Sequence, residues 1–184
     1  MIREQGLELL KQNVQNQNLI KHCLAVEAVM RALAEYFSQD KEKWGMAGLL
    51  HDIDYETTKD KPNEHSLIGA RMLEDLGMER EICQAVRAHN EIHKIPLQTL
   101  MDKALFVSDP ITGLIVASVL VLPSKKITDL QAENILNRFK EKSFAKGANR
   151  QIIQQCQSLL NLRLSEFVQT SLKAMQRICS DLGL

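Results

Sequence analysis

The sequence predicts an all-α protein, a single compact helical domain over residues 1–184 with roughly eight to ten helices. Three observations carry this prediction. Apolar residues recur at helical spacing almost throughout, no segment alternates in the way a half-buried strand would, and capping residues and helix breakers mark off the periodic stretches. The 45% apolar content is enough for a full core in a chain of 184 residues.

The elements follow in order. Leu19, His22, Val26, Val29 and Leu33 form one stripe, which places a helix over Gln17–Phe37. Asp40 reads as the N-cap of a helix from Lys41 towards Asp52. Pro62 and Asn63 open a helix over Glu64–Leu76, with Gly77 as its stop. Another covers Glu79–Asn90. Pro96 precedes a helix over Leu97–Ser108, and Pro110 is expected to break or kink the chain there. A buried helix then reaches Leu122; its VASVLVL segment is β-branched but continues the helical pattern. Thr128 and Gln131 suit a capping box for a helix towards Lys140. Helices over Asn149–Leu160 and Ser165–Leu182 close the chain. The turns at 59–63, 123–126 and 146–149 are short loops rather than domain boundaries, and no repeat or low-complexity linker is present.

Composition narrows the function. Lys plus Arg and Asp plus Glu both number 23, so no basic surplus marks a dedicated nucleic-acid binder. A small anionic ligand, which needs only local charge, is left open. Cys23, Cys83, Cys156 and Cys179 form no CxxC pair and read as free thiols of a reducing compartment. The opening MIREQGLELLKQ has no apolar signal region. The longest apolar run, Ile111–Leu122, holds Thr112, Gly113 and Ser118 and spans twelve residues, short for a bilayer. The expectation is a cytoplasmic protein without a membrane segment. The apolar last helices would permit a homodimer.

Histidines and aspartates interrupt the apolar stripes. His22 sits with Val26 and Val29; His51 and Asp52 end the stripe Trp44, Ala47, Gly48; His65 begins the stripe of Ile68, Met72 and Leu76. His89 ends that of Ile82, Ala85 and Val86, and Asp109 follows Leu105 by four residues. One histidine on an apolar face is usually a hydrogen-bonded core residue. Imidazoles and carboxylates delivered by several separate helices make a metal site. Without sulfur, such donors suit Fe, Mn, Zn, Co or Ni. The local rival is HNEIH at residues 89–93, which superficially matches a zinc protease helix. Asn90 stands where the catalytic glutamate belongs, and His93 reads as a surface residue.

The ordered set His22, His51-Asp52 and Asp109 resembles the HD-domain metal-dependent phosphohydrolase superfamily, with His65 and His89 resembling the added histidines of its two-metal members. The resemblance runs over about 17–122, through KHCLAVEAVMRALA, GLLHDID, HSLIGARMLEDLG, AVRAHNE and ALFVSDPITGL; 123–184 is a helical extension outside it. It implies two divalent ions. His22, His51 and Asp109 would hold one, His65 and His89 the other, and Asp52 would bridge them. It also implies hydrolysis of a phosphomonoester, phosphodiester or phosphoanhydride by a metal-bridging hydroxide. A nucleotide or dinucleotide is the expected small phosphorylated substrate. A non-catalytic metal- and nucleotide-binding module is the alternative. The HDIGK continuation and GYP tripeptide of the cyclic-dinucleotide branch are absent: Ile53, Asp54 and Tyr55 follow the doublet. Asp54 is a candidate proton-handling or supporting group. Lys125, Lys126, Lys146 and Arg150 are candidate phosphate contacts, and Trp44, Tyr55 and Phe106 candidate base-stacking residues.

Overall fold

A computed structural model describes residues 1–184. It is all-helical, without a strand. The chain opens with α1 (Arg3–Asn13), which periodicity alone did not bring out. Its buried residues are only Gly6 and Leu10, with Val14 just beyond it. Arg3 holds it down, forking onto Glu27 at 2.6 and 2.9 Å. Glu27 is buried, and Arg31 at 2.9 Å completes its compensation.

Helices α2 (Gln17–Tyr36) and α3 (Lys41–Leu50) begin where expected, capped by Asn16 and Asp40. They approach closely at Gly48, where a Cβ would fall 2.9 Å from the Glu27 backbone. A short α4 (Tyr55–Thr58) follows. Helix α5 (Leu67–Asp75) starts three residues later than the sequence pattern indicates, and Asn63 does not cap it. The cap comes from elsewhere: the Asp54 carboxylate accepts from the Ser66 and Gly69 amides at 2.9 and 2.8 Å, with Ser66 at φ +71°. Helix α6 (Arg80–Ala88) ends at His89, and Glu91–His93 is a 3-10 turn. The two histidines of HNEIH therefore do not share a helical face.

Helix α7 (Leu100–Leu120) corrects the reading at Pro110. It is one helix of 21 residues, started by a Thr99–Asp102 capping box rather than at Leu97, and Pro110 lies inside it. Proline removes one hydrogen bond of the ladder, while burial on both sides of it holds the rest together. By length and composition α7 is apolar enough to cross a membrane. Here it is the central helix, packed by α2, α6 and four of the helices that follow.

Those are α8 (Ala132–Lys140), α9 (Arg150–Gln154), α10 (Cys156–Leu160) and α11 (Leu164–Gln176), with α12 (Cys179–Leu182) closing the chain. Gln131 with Asn134, not Thr128, caps α8. The single helices expected over 149–160 and 165–182 are each broken, at Gln155 and around Arg177–Ile178. One core cluster of 45 buried residues runs from Leu10 to Leu182, so the C-terminal helices share it with the first. All four cysteines are free thiols.

Candidate metal centre

Five separate segments deliver six polar side chains to one point: His22 from α2, His51 and Asp52 from the end of α3, His65 from the loop before α5, His89 from the end of α6 and Asp109 from mid-α7. Asp52 is at the middle. Its Oδ1 faces the Nε2 atoms of His51, His65 and His89 at 3.5, 3.3 and 3.4 Å, and its Oδ2 faces that of His22 at 3.7 Å. Asp109 Oδ1 lies 3.0 Å from His22 Nε2 and 3.8 Å from His51 Nε2. The donor atoms of His22, His51 and Asp109, and those of His51, Asp52 and His89, are close enough together to share an ion. The His51 side chain is fully buried, whereas those of His22 and Asp109 are 25% and 35% exposed, so the centre opens on the α2–α7 side.

All four rings are tied from behind. A carbonyl or carboxylate oxygen can only accept, so Nδ1 carries the proton wherever it meets one. His51 Nδ1 donates to Gly48 O at 2.8 Å and His89 Nδ1 to Val86 O at 2.7 Å, each one turn back along its own helix. His65 Nδ1 donates to Asp54 at 3.0 Å. The Thr112 hydroxyl donates to Asp109 O at 2.8 Å and so is left to accept from His22 Nδ1 at 3.2 Å. Every Nε2 therefore points inward. His22 and His51 Nε2 meet at 3.2 Å, a contact that two bare lone pairs cannot make: a proton or a metal ion has to lie between them. Something positive belongs there.

The electrostatics agree. Burial would lower the His51 pKa, but Asp52 and Asp109 outweigh it and raise it to about 9. Burial likewise opposes charge on His65, yet Asp52 and Asp54 raise it to about 10. Desolvation pushes the Asp52 and Asp109 carboxyls up, and the surrounding imidazoles hold both well below the usual carboxylate range. Cys23, under the centre, is kept a neutral thiol by burial and by the negative charge of Asp52 and Asp109. The donor set stays nitrogen and oxygen.

Asp54 stands behind His65, its carboxylate committed to the ring and to the start of α5. His93, read from sequence as a surface residue, is half-buried and donates Nε2–H to the His65 carbonyl at 2.7 Å. Asn90 donates to the same carbonyl and to that of Pro62. Sequence reading missed these clasps and Thr112, because their partners are backbone atoms or lie 90 positions away.

The basic candidates separate. Arg150 is not free for phosphate: its guanidinium donates to the carbonyls of Phe139, Ala145, Ala148, Arg138, Glu141 and Phe144, locking the loop after α8. Lys125 and Lys126 lie past the end of α7, whose Leu120 is about 16 Å along the helix from Asp109. Lys146 is exposed on the loop that Asn149 ties to Glu91 at 3.0 Å, two residues from His89. A recess of about 900 Å³ lies along the opposite stripe of α2 and touches none of the six.

Comparison with known proteins matches residues 19–120 to the HD domain family. Ribonuclease Y of Nitratidesulfovibrio vulgaris is 33% identical over 98 residues, 53% of this chain and 18% of the relative. Ribonuclease Y of Lawsonia intracellularis is 29% identical over 139 residues, 74% of this chain and 26% of the relative. An uncharacterised protein of Methanocaldococcus jannaschii is 33% identical over 91 residues, 47% of this chain and 52% of the relative. The chain thus spans a minor part of the ribonucleases and about half of the archaeal protein. No solved structure matches significantly. With its ordered histidines and aspartates inside the matched span, this chain belongs to the HD domain family.

Proposed function

We propose that the protein is a two-metal phosphohydrolase acting on a phosphate ester or anhydride of a nucleotide. The observation that carries the reading is the convergence of four Nε2 atoms on two carboxylates, with every Nδ1 tied off behind. The imidazoles and carboxylates of the two possible ion-binding groups, with His65 beside them on Asp52, include no thiolate and fit Mn, Fe, Co, Ni or Zn. His22, His51 and Asp109 would hold one ion, His65 and His89 the other, with Asp52 between them. Bound there, two divalent ions would supply charge to grip phosphate oxygens and acidity to ready a water for attack.

The chain's own groups keep that site in shape. Gly48 O, Val86 O, Asp54 and Thr112 hold the rings in one tautomer and orientation. Asp54 is a positioning residue on this reading. The 35% exposure of the Asp109 side chain leaves one side for substrate to enter. Lys146, on the loop joined to the His89 side, is the best-placed of the basic candidates. The zero net charge favours a small substrate over a polyanion. The ribonuclease relatives make an RNA phosphodiester the second substrate to try. A non-catalytic binding module is disfavoured because no donor has been lost.

The test is metal content per chain by elemental mass spectrometry, on protein prepared without chelator or affinity metal, beside Asp52→Ala. The expected result is about two ions per chain, lost in the variant, with metal-dependent release of phosphate or nucleotide from a panel including RNA. No metal after reconstitution with Mn, Fe, Zn, Co and Ni would overturn the proposal.

A further inference from the structure

Of the aromatic side chains, Trp44 is buried and rests against Phe37, and Phe106 packs against the core. Tyr36 is exposed but lies fourteen residues along α2 from His22, about 21 Å away. Tyr55 is different. It is 42% exposed, and its ring stands at 88° to that of His65 with centroids 5.2 Å apart. A perpendicular contact with His65 covers at most one face of the tyrosine ring, and the residue keeps 42% of its surface exposed. Beside it is a recess of about 260 Å³ lined by Asn16, Leu19, Tyr55, Glu56 and Lys59.

Leu19 is one turn before His22 on α2, so this recess adjoins the metal centre. Both Glu56 oxygens are committed to the Gln15 and Asn16 amides, which ties the α1–α2 link to α4. Lys59 has no ion-pair partner, unlike Lys61, which pairs with Glu64. The volume is just under that of sites for whole drug-sized ligands, which suits one ring system and not a whole nucleotide.

We propose that Tyr55 and Lys59 form a recognition subsite for the non-reacting half of a nucleotide: the base stacks on the exposed Tyr55 ring, and the Lys59 ammonium holds a phosphate other than the reacting one. This rests on the phosphohydrolase reading for which phosphate reacts, and the subsite itself can be tested by binding. The probes are adenosine 5′-monophosphate, adenosine 5′-diphosphate and ribose 5-phosphate, which has no base. Binding to the metal-loaded protein is measured by calorimetry, alongside phosphate release, for wild type, Tyr55→Ala, Tyr55→Phe and Lys59→Ala. Each variant must keep the wild-type metal content.

Wild type should prefer the adenine nucleotides to ribose 5-phosphate. Tyr55→Ala should weaken both nucleotides about tenfold or more, the range of base–aromatic stacking, and leave ribose 5-phosphate unchanged. Tyr55→Phe should bind as wild type does. Lys59→Ala should weaken the diphosphate more than the monophosphate. Equal loss of all three probes in Tyr55→Ala would mean that Tyr55 only props His65, and would overturn the subsite. So would equal binding of nucleotide and ribose 5-phosphate to wild type, even with hydrolysis intact, or binding of none of the probes. Tyr55-dependent nucleotide binding without any hydrolysis would sink the enzymatic reading and leave the subsite standing.

Discussion

Thr112 shows how much of the centre depends on one hydroxyl. It accepts from His22 while donating to Asp109 O, so it sets the ring's tautomer. Thr112→Val keeps the shape and removes the acceptor. The fold should survive, and metal affinity should fall by about 10- to 100-fold, as for other partners behind a ligating histidine; a metal titration with a competing chelator measures it. Unchanged affinity would show that packing alone orients His22. Asp54 carries a different burden. Asp54→Ala strips the acceptor from His65 Nδ1 and from the Ser66 and Gly69 amides together. We expect a loss of about 1–3 kcal/mol in urea unfolding, with metal content reduced as well. The six converging residues were legible as polar interruptions of apolar stripes, because period and residue type are local properties. The supports were not. Gly48 O and Val86 O are backbone atoms, and nothing in the letters says that Thr112 meets His22 across 90 positions.

Gly48 makes the corresponding argument for an element. In an exposed helix, glycine to alanine is stabilising by up to about 1 kcal/mol. Here a methyl group would meet the Glu27 backbone at 2.9 Å, and backbone cannot move aside as a flexible side chain can. Gly48→Ala should therefore push α3 from α2, cost about 1–3 kcal/mol and weaken metal binding, since His22 and His51 ride on the separated helices. Gly113, exposed on α7 with nothing within 4 Å of a Cβ, should show the opposite sign. Gly113→Ala should raise stability by about 0.5–1 kcal/mol. Paired thermal melts decide the matter, and equal signs would refute it. The same reasoning explains which elements could be read. Caps such as Asn16, Asp40 and Asn149 act within three residues, so those starts were visible or nearly so. Helix α5 is capped by Asp54 from twelve and fifteen positions away, and its start moved. Pro110 marks a local preference that the core around α7 overrides. The breaks at Gln155 and Arg177–Ile178 have no glycine or proline to announce them.

Across the whole molecule, the centre couples folding to pH and to metal. In the metal-free chain His51 and His65 are raised from 6.5 to about 9 and about 10. A group with a raised folded-state pKa stabilises the fold fully below its unfolded value and loses that contribution as pH climbs through the folded one. The lowered carboxyls of Asp52 and Asp109 do the reverse: their contribution is present above the ordinary carboxylate value and is lost in acid. The metal-free protein should therefore be most stable between about pH 4 and 6.5 and soften steadily towards pH 9–10. Metal reverses the alkaline limb. It occupies the lone pairs that protons hold otherwise, so its affinity grows as those protons leave. Since five segments from α2 to α7 meet at the centre, and α7 packs against the C-terminal helices, the effect should reach the global melt. Melting curves from pH 5 to 10, with chelator and with saturating Mn²⁺, should show a gap that widens with pH, and metal addition to unbuffered protein near neutrality should release protons. A chelated protein whose melting point stays flat from pH 6.5 to 10 would mean that the imidazoles and carboxylates do not hold one another in the way their spacing requires.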